Sequence, residues 1–197
     1  MISKFVDIKL KIEMVPETLW NVNLRYLLKP KKWQEIRKIE LKRVQNDSYQ
    51  FCCEICTRPK DSLDCHEMWS YNDETHVQTL DGLLMLCKQC HLIKHIGFSS
   101  NLAMEGKCNF DGLISHFCHI NKLTPEDFHE HYLEEYAKWE ERSKHAWTQD
   151  LKYIINHKID TFVIGDDCKG KFDFLNTYCE VIYLKRTHNI SSTLLKL

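Results

Sequence analysis

The sequence predicts an α+β protein: a small metal-stapled core with helical flanks, followed by a small C-terminal α/β fragment. Three observations carry this. Two C-x-x-C pairs, Cys53/Cys56 and Cys87/Cys90, bracket a Cys-His-Glu run at 65–67, and four thiolates in two knuckles close a tetrahedral zinc site. Apolar residues recur at helical spacing on both sides of the pairs, over 31–46 and from Thr124 onward. Thr161–Ile164 and Glu180–Leu184 read as strands of a parallel sheet joined by a short helical link, Lys171–Leu175. The expected segments are 1–47 (N-terminal strand and helices), 48–100 (core), 101–153 (helical extension) and 154–197 (the C-terminal fragment).

Residues 4–14 alternate, with Val6, Ile8, Leu10, Ile12 and Met14 on one face, which predicts a half-buried strand ending at Pro16. Residues 17–28 carry Leu19, Trp20, Leu24, Leu27 and Leu28 near helical spacing, and Pro30 breaks the segment. Over 31–46 an amphipathic helix turns Trp33, Ile36, Ile39 and Leu41 or Val44 inward. Its other face holds Lys31, Lys32, Arg37, Lys38, Lys42 and Arg43, either a solvated face or a phosphate-contacting one. Phe51–Cys56 forms the first knuckle. Leu63–Trp69 alternates as a short strand, 71–79 is polar and loop-like, and Asp81-Gly82 signals a turn. Leu83–Leu86 leads into the second knuckle, and Cys90–His95 starts a helix that puts His91 and His95 on one side. Residues 101–123 read as a connector with a little helix. Thr124-Pro125-Glu126 starts a long helix, or two, running to about 156, with Phe128, Tyr132, Tyr136, Trp139, Leu151 and Ile154 as core. His129 and His131 read as exposed.

Composition bounds the function. The chain has 197 residues, with 27 Lys and Arg against 28 Asp and Glu, so no global basic charge announces nucleic acid. No apolar run approaches the ~20 residues of a membrane span. The N-terminus lacks a signal-peptide core. With four of ten cysteines at metal spacing, this predicts a reducing, cytoplasmic setting and no membrane partner. Cys108, Cys118, Cys168 and Cys179 read as ordinary thiols. Cys52 competes with Cys53, but only Cys53 makes C-x-x-C with Cys56.

The stretches C-E-I-C, L-D-C-H-E-M-W-S-Y and L-M-L-C-K-Q-C-H-L-I-K-H resemble the HNH endonucleases of the His-Me finger (ββα-metal) type, in the branch that reads C-H-E-x-W. W-N-V-N-L-R, K-K-W-Q-E-I-R and W-E-E-R-S-K-H-A-W extend the resemblance from near the N-terminus to about residue 153. It implies a zinc-stapled ββα-metal core, with Cys53, Cys56, Cys87 and Cys90 on structural Zn²⁺. It also implies phosphodiester hydrolysis, in DNA, on a second ion such as Mg²⁺ or Mn²⁺. One alignment makes His66, His91 and His95 the ligands and Glu67 the general base. The other puts Cys65 at a ligand position and makes His66 the base. The middle Asn of the motif falls on Gly82, where Asp81 or Asn72 would have to substitute. Lys88 and Lys94, with Arg37 and Lys38, are the candidate nucleic-acid contacts.

F-V-I-G-D-D-C-K-G-K-F-D-F-L and R-T-H-N-I-S-S-T resemble the C-terminal part of glycerol-3-phosphate cytidylyltransferases. The resemblance implies nucleotide-phosphate contacts from Arg186, Thr187, Ser191, Ser192 and Thr193, with Asn189 in place of a Gly. The H-x-G-H motif of that fold is absent from the chain. A fragment of this size buries little core alone; it docks on the core, self-associates, pairs with a protein partner, or is an inactive fusion relic. Two readings therefore stand beside the endonuclease: a non-catalytic zinc-binding nucleic-acid module, and a nucleotide-binding, cytidylyltransferase-like protein.

Overall fold

The computed structural model describes residues 3–20, 22–48, 50–151, 161–166, 169–177 and 179–185. It is a mixed α+β chain with helices and several small sheets. Two compact units are present: Met1–Trp20 with Lys38–Asp150, and Asn21–Arg37 with Leu151–Leu197. Among the described residues, no helix is long and apolar enough to cross a membrane.

In the first unit, residues 4–14 form no strand, contrary to the alternating pattern. Leu10 and Ile12 are buried as expected, but their backbone groups are satisfied by side chains and a helix end instead of a ladder. The Leu10 N–H donates to Asn121 Oδ1 and its carbonyl accepts from Asn121 Nδ2, both at 2.9 Å. The Ile12 N–H donates to His131 Nε2 at 3.1 Å, and the Glu13 N–H to the Lys94 carbonyl at 2.9 Å. An irregular segment held this way needs the same apolar alternation as a strand.

Pro30 ends the preceding segment, as expected, and is itself the first residue of helix α2 (Pro30–Arg43), because proline suits a first helical turn; the helix stops three residues short of the expected 46. Trp33 and Ile36 are buried, but Ile39 is 60% exposed and Glu40 only 4%. Glu40 is buried because Arg43 Nε reaches it at 2.7 Å, while the same guanidinium grips Glu54 at 2.6 and 2.9 Å. Glu54 Oε2 in turn accepts the Met85 N–H.

The knuckle pairs β1 (Phe51–Cys52) with β2 (Pro59–Lys60). Next comes a long hairpin, β3 (Asp64–Asn72) antiparallel to β4 (Val77–Leu86). The expected loop over 71–79 shrinks to the residues between the strands, because Asn72 Oδ1 accepts from the N–H groups of Glu74 and Thr75 and tightens the turn. Asp81-Gly82 is not a turn. Met68 faces Gly82 and Trp69 faces Leu80, so Asp81 is the extra residue of a bulge. Strand β5 (Thr148–Asp150) adds parallel to β4 and was not foreseen.

Behind the hairpin lie α3 (Lys88–Lys94), α4 (Ile96–Met104), α5 (Phe110–Asn121) and α6 (Pro125–Arg142). The connector expected over 101–123 is thus largely helical; Asn109 caps α5 by accepting the Gly112 N–H. Thr124 and Asp127 form a reciprocal capping box on α6. That helix ends at Arg142, short of 156, and residues 152–156 lie outside the described ones. Met85, Leu86, Ile93, Ile96, Leu113, Phe117 and Phe128 form one core with Leu10 and Ile12. Tyr136 is 41% exposed, so it is not core. His131, expected outside, is buried between the rings of Phe5 and Phe117.

In the second unit, α1 (Leu24–Leu27) is a single turn capped by Asn23, and Leu28 bridges to Phe162. Strands β6 (Thr161–Gly165) and β7 (Glu180–Leu184) pair in parallel, as expected, and a 3-10 turn, Asp173–Thr177, lies between them in the chain. Phe162, Phe172 and Leu175 are buried, and Tyr183 O–H donates to Asp173 at 2.7 Å. Cys168, Arg186, Thr187, Ser191, Ser192 and Thr193 lie outside the described residues.

Asn121→Ala strands both buried backbone groups of Leu10. Urea denaturation should show a loss of about 2 kcal/mol, whereas Lys122→Ala at the neighbouring exposed position should cost much less.

Candidate metal centres

The Sγ atoms of Cys53, Cys56, Cys87 and Cys90 all lie within 4.8 Å of one another, and the four residues are buried. Cys56 Sγ and Cys87 Sγ are 3.8 Å apart. A tetrahedron of 2.3 Å zinc–sulfur bonds has edges of about 3.8 Å, so the donor set and spacing fit Zn²⁺. Local geometry prepares each pair. Thr57 takes a left-handed conformation (φ 58°) and its N–H returns to the Cys53 carbonyl at 2.8 Å, closing the first knuckle. Cys87 is the N-cap of α3, so Cys90 comes round within the first turn. Hydrogen bonds from Cys87 and Cys90 hold the Cys53 thiol far below its ordinary range. The same contact with Cys53 pushes Cys87 up to about 11 and Cys90 higher still. Four thiols so crowded ionise together only around a cation. Cys52 stays outside the cluster, beside Asn46.

Sequence reasoning missed His116. It is buried on α5, with Nε2 3.2 Å from Cys90 Sγ and Nδ1 2.8 Å from Arg58 Nη2. Guanidinium only donates, so Nδ1 accepts and Nε2 carries the proton toward the sulfur. Such a bond spreads the negative charge of a thiolate cluster.

The second group is His66, His91 and His95, whose donor atoms also lie within 4.8 Å of one another. His66 comes from β3, while His91 lies on α3 and His95 is its C-cap. His66 Nδ1 is 3.1 Å from His95 Nε2. Metal–nitrogen bonds of about 2.1 Å put neighbouring donors roughly 3.0–3.4 Å apart, so three imidazoles here fit a divalent ion. Burial, then repulsion from His66 and His91, lowers His95 to about 3, and burial lowers His91 likewise. Both rings are therefore neutral at pH 7, the form that ligates.

Two acids missed by sequence reasoning border the group. Glu13 Oε2 is 2.8 Å from His66 Nε2, and its other oxygen pairs with Lys94. Burial raises the Glu13 pKa, but the His66 hydrogen bond and the Lys94 charge outweigh it and hold the carboxyl at about 2. Asp64 Oδ2 is 3.4 Å from His91 Nδ1. Asp64 was legible, two residues before His66 on one strand face; nothing in the sequence pointed to Glu13.

Lys94 corrects an expectation. It is 5% exposed and committed to Glu13, so it is no surface phosphate contact. Lys88 and Lys38 are exposed and Arg37 half-buried. Glu67, next to His66 on β3, is half-buried and accepts from Trp69 Nε1 at 3.1 Å. Asp81, on the bulge, accepts from Ser70 Oγ at 3.2 Å, whereas Asn72 is taken up by the hairpin turn.

Comparison with known proteins finds a nucleotidyltransferase-like piece. A stretch of 50 residues, 25% of the chain, is similar to glycerol-3-phosphate cytidylyltransferases. Identity is 66% to the protein of Bacillus spizizenii and 58% to that of Bacillus subtilis; a stretch of 51 residues is 50% identical to that of Staphylococcus aureus. The matched stretch spans 39% of the length of each of these relatives. No family model matches the chain, and no solved structure does.

His116→Ala keeps all four thiols. We expect it to weaken zinc binding roughly tenfold or more, read as faster zinc release to a chromophoric chelator, while Cys90→Ser lowers the zinc stoichiometry itself.

Proposed function

We propose that the chain is a metal-dependent endonuclease of the HNH type, hydrolysing phosphodiester bonds in DNA, with Zn²⁺ held by Cys53, Cys56, Cys87 and Cys90 as a structural staple. The observation that carries this reading is the meeting of His66, from the β3–β4 hairpin, with His91 and His95, from the helix that follows. A divalent ion held there supplies Lewis-acid polarisation of a phosphoryl oxygen.

The chain's own residues supply the rest. Both ring nitrogens of His66 are engaged, one at Glu13 and one facing His95. This supports His66 as a ligand and speaks against it as the base, and on the alignment that makes it a ligand Glu67 is the base. The ionised Glu67 takes a proton from water as the water oxygen bonds to phosphorus. The phosphorus–O3′ bond breaks, and O3′ takes a proton from solvent. Asp81 neighbours this stretch of β3 and stands in for the missing Asn. Lys88, Lys38 and Arg37 offer phosphate contacts, which dominate nucleic-acid affinity.

Supercoiled plasmid with the zinc-loaded protein and Mg²⁺ or Mn²⁺ tests this. Nicking should stop with EDTA and fall at least 100-fold in His91→Ala. A well-folded, zinc-loaded protein that binds DNA but never nicks it would make the chain a binding module.

The 66% identity over 50 residues favours a second reading, nucleotide binding by a cytidylyltransferase-like segment through Arg186, Thr187, Ser191, Ser192 and Thr193. Calorimetry with CTP decides it: a heat signal lost in Arg186→Ala supports the reading, and silence at millimolar nucleotide rejects it.

A further inference from the structure

The histidine pocket contains a carboxylate and an ammonium that the hydrolytic scheme does not use. Glu13 enters from the irregular N-terminal segment, where its own N–H is anchored on the Lys94 carbonyl at 2.9 Å. Its side chain returns to the same region, one oxygen on His66 Nε2 at 2.8 Å and the other on the Lys94 ammonium. Lys94 is almost fully buried and lies on α3 between His91 and His95. A buried ammonium is costly unless paired, so Lys94 and Glu13 hold each other in place.

A carboxylate only accepts. The His66 proton therefore sits on Nε2, and the Nδ1 lone pair faces His95 Nε2 across 3.1 Å. Asp64 stands beside His91 at a longer 3.4 Å from Nδ1, which favours Nε2 as the ligating atom. His66 thus carries a carboxylate on the nitrogen opposite the one that faces His95, and His91 has a carboxylate beside Nδ1. Carboxylates so placed orient metal-ligating histidines and raise their basicity.

We propose that Glu13 is the positioning residue of this pocket, clamped by Lys94 and assisted by Asp64, and that it sets the site to take a divalent cation through His66 Nδ1, His91 Nε2 and His95 Nε2. The assignment rests on the metal-site reading above. It adds a residue remote in sequence and fixes which ring atoms ligate. It also makes the N-terminal segment part of the site: losing the Glu13 clamp frees the His66 ring to turn.

The test is Co²⁺ titration of the full-length, zinc-loaded protein, followed by calorimetry and by visible d–d absorption, so no nuclease activity is needed. Wild type should bind one Co²⁺ that His91→Ala fails to bind. Glu13→Gln, which keeps an accepting oxygen but no charge, should weaken binding about tenfold, and Glu13→Ala about 100-fold. Zinc content and circular dichroism should match wild type in Glu13→Gln. The graded order is the signature of orientation through a hydrogen bond. Wild-type affinity in both Glu13 variants would overturn the proposal while leaving the metal site standing. Loss in Glu13→Gln as complete as in His91→Ala would overturn it too, making Glu13 a ligand. If wild type binds no Co²⁺ beyond the zinc site, the metal-site reading fails and the positioning role falls with it.

Discussion

Four buried thiols drawn within 4.8 Å of one another are the constraint on which the first unit depends. One pair sits on the β1–β2 knuckle and the other at the junction of β4 and α3. Bringing them together fixes where α3 starts relative to the hairpin. His91 and His95 ride on α3 and its cap, and His66 rides on β3, so the same closure sets the distances among the three imidazoles. The apolar core around Met85, Leu86, Ile93 and Phe117 is packed directly behind this junction. Such a cluster stabilises the fold only while a cation balances its charge, because metal binding and folding are one equilibrium in small thiolate sites.

Charge around the two clusters is arranged in opposite senses. At the cysteines, the surplus is negative and the protein answers with Arg58 relayed through His116. At the histidines, the surplus donors are neutral, and the protein brings in Glu13 and Asp64 on the far side of the rings. The first arrangement suits a closed site that holds its ion by four soft ligands. The second, three neutral imidazoles with acids beside them, has the donor set of the divalent site proposed above. The match to cytidylyltransferases covers a quarter of the chain.

Much of the core could be read residue by residue. The C-x-x-C spacing named the four thiol partners and separated Cys53 from Cys52. The i, i+4 spacing of His91 and His95 put them on one side if the segment was helical; His91 lies on α3 and His95 is its C-cap, and their ring centres are 4.9 Å apart. Parallel pairing of Thr161–Ile164 with Glu180–Leu184 followed from two apolar runs with a short link between them, and the first strand runs one residue further, to Gly165. Other features followed local pattern and went astray. Alternation over 4–14 promised a strand, but alternation reports only that every second side chain is buried. Asp81-Gly82 has the composition of a turn, and a bulge in a long strand uses the same residues for the same backbone freedom. Ile39 and Glu40 exchanged places because Arg43 pairs with Glu40 and makes its burial affordable.

By itself, the sequence determined which thiols and imidazoles are candidates to gather, since their spacing is local, and it determined the helix starts that carry their own caps, such as Thr124-Pro125. Only the tertiary structure decided what stands behind the ligands. Glu13 lies 53 positions from His66 and His116 lies 26 from Cys90. No periodicity links residues so far apart. Their meeting is set by how α3 packs between the hairpin, α5 and the N-terminal segment, and long-range packing leaves no trace in the spacing of neighbouring residues.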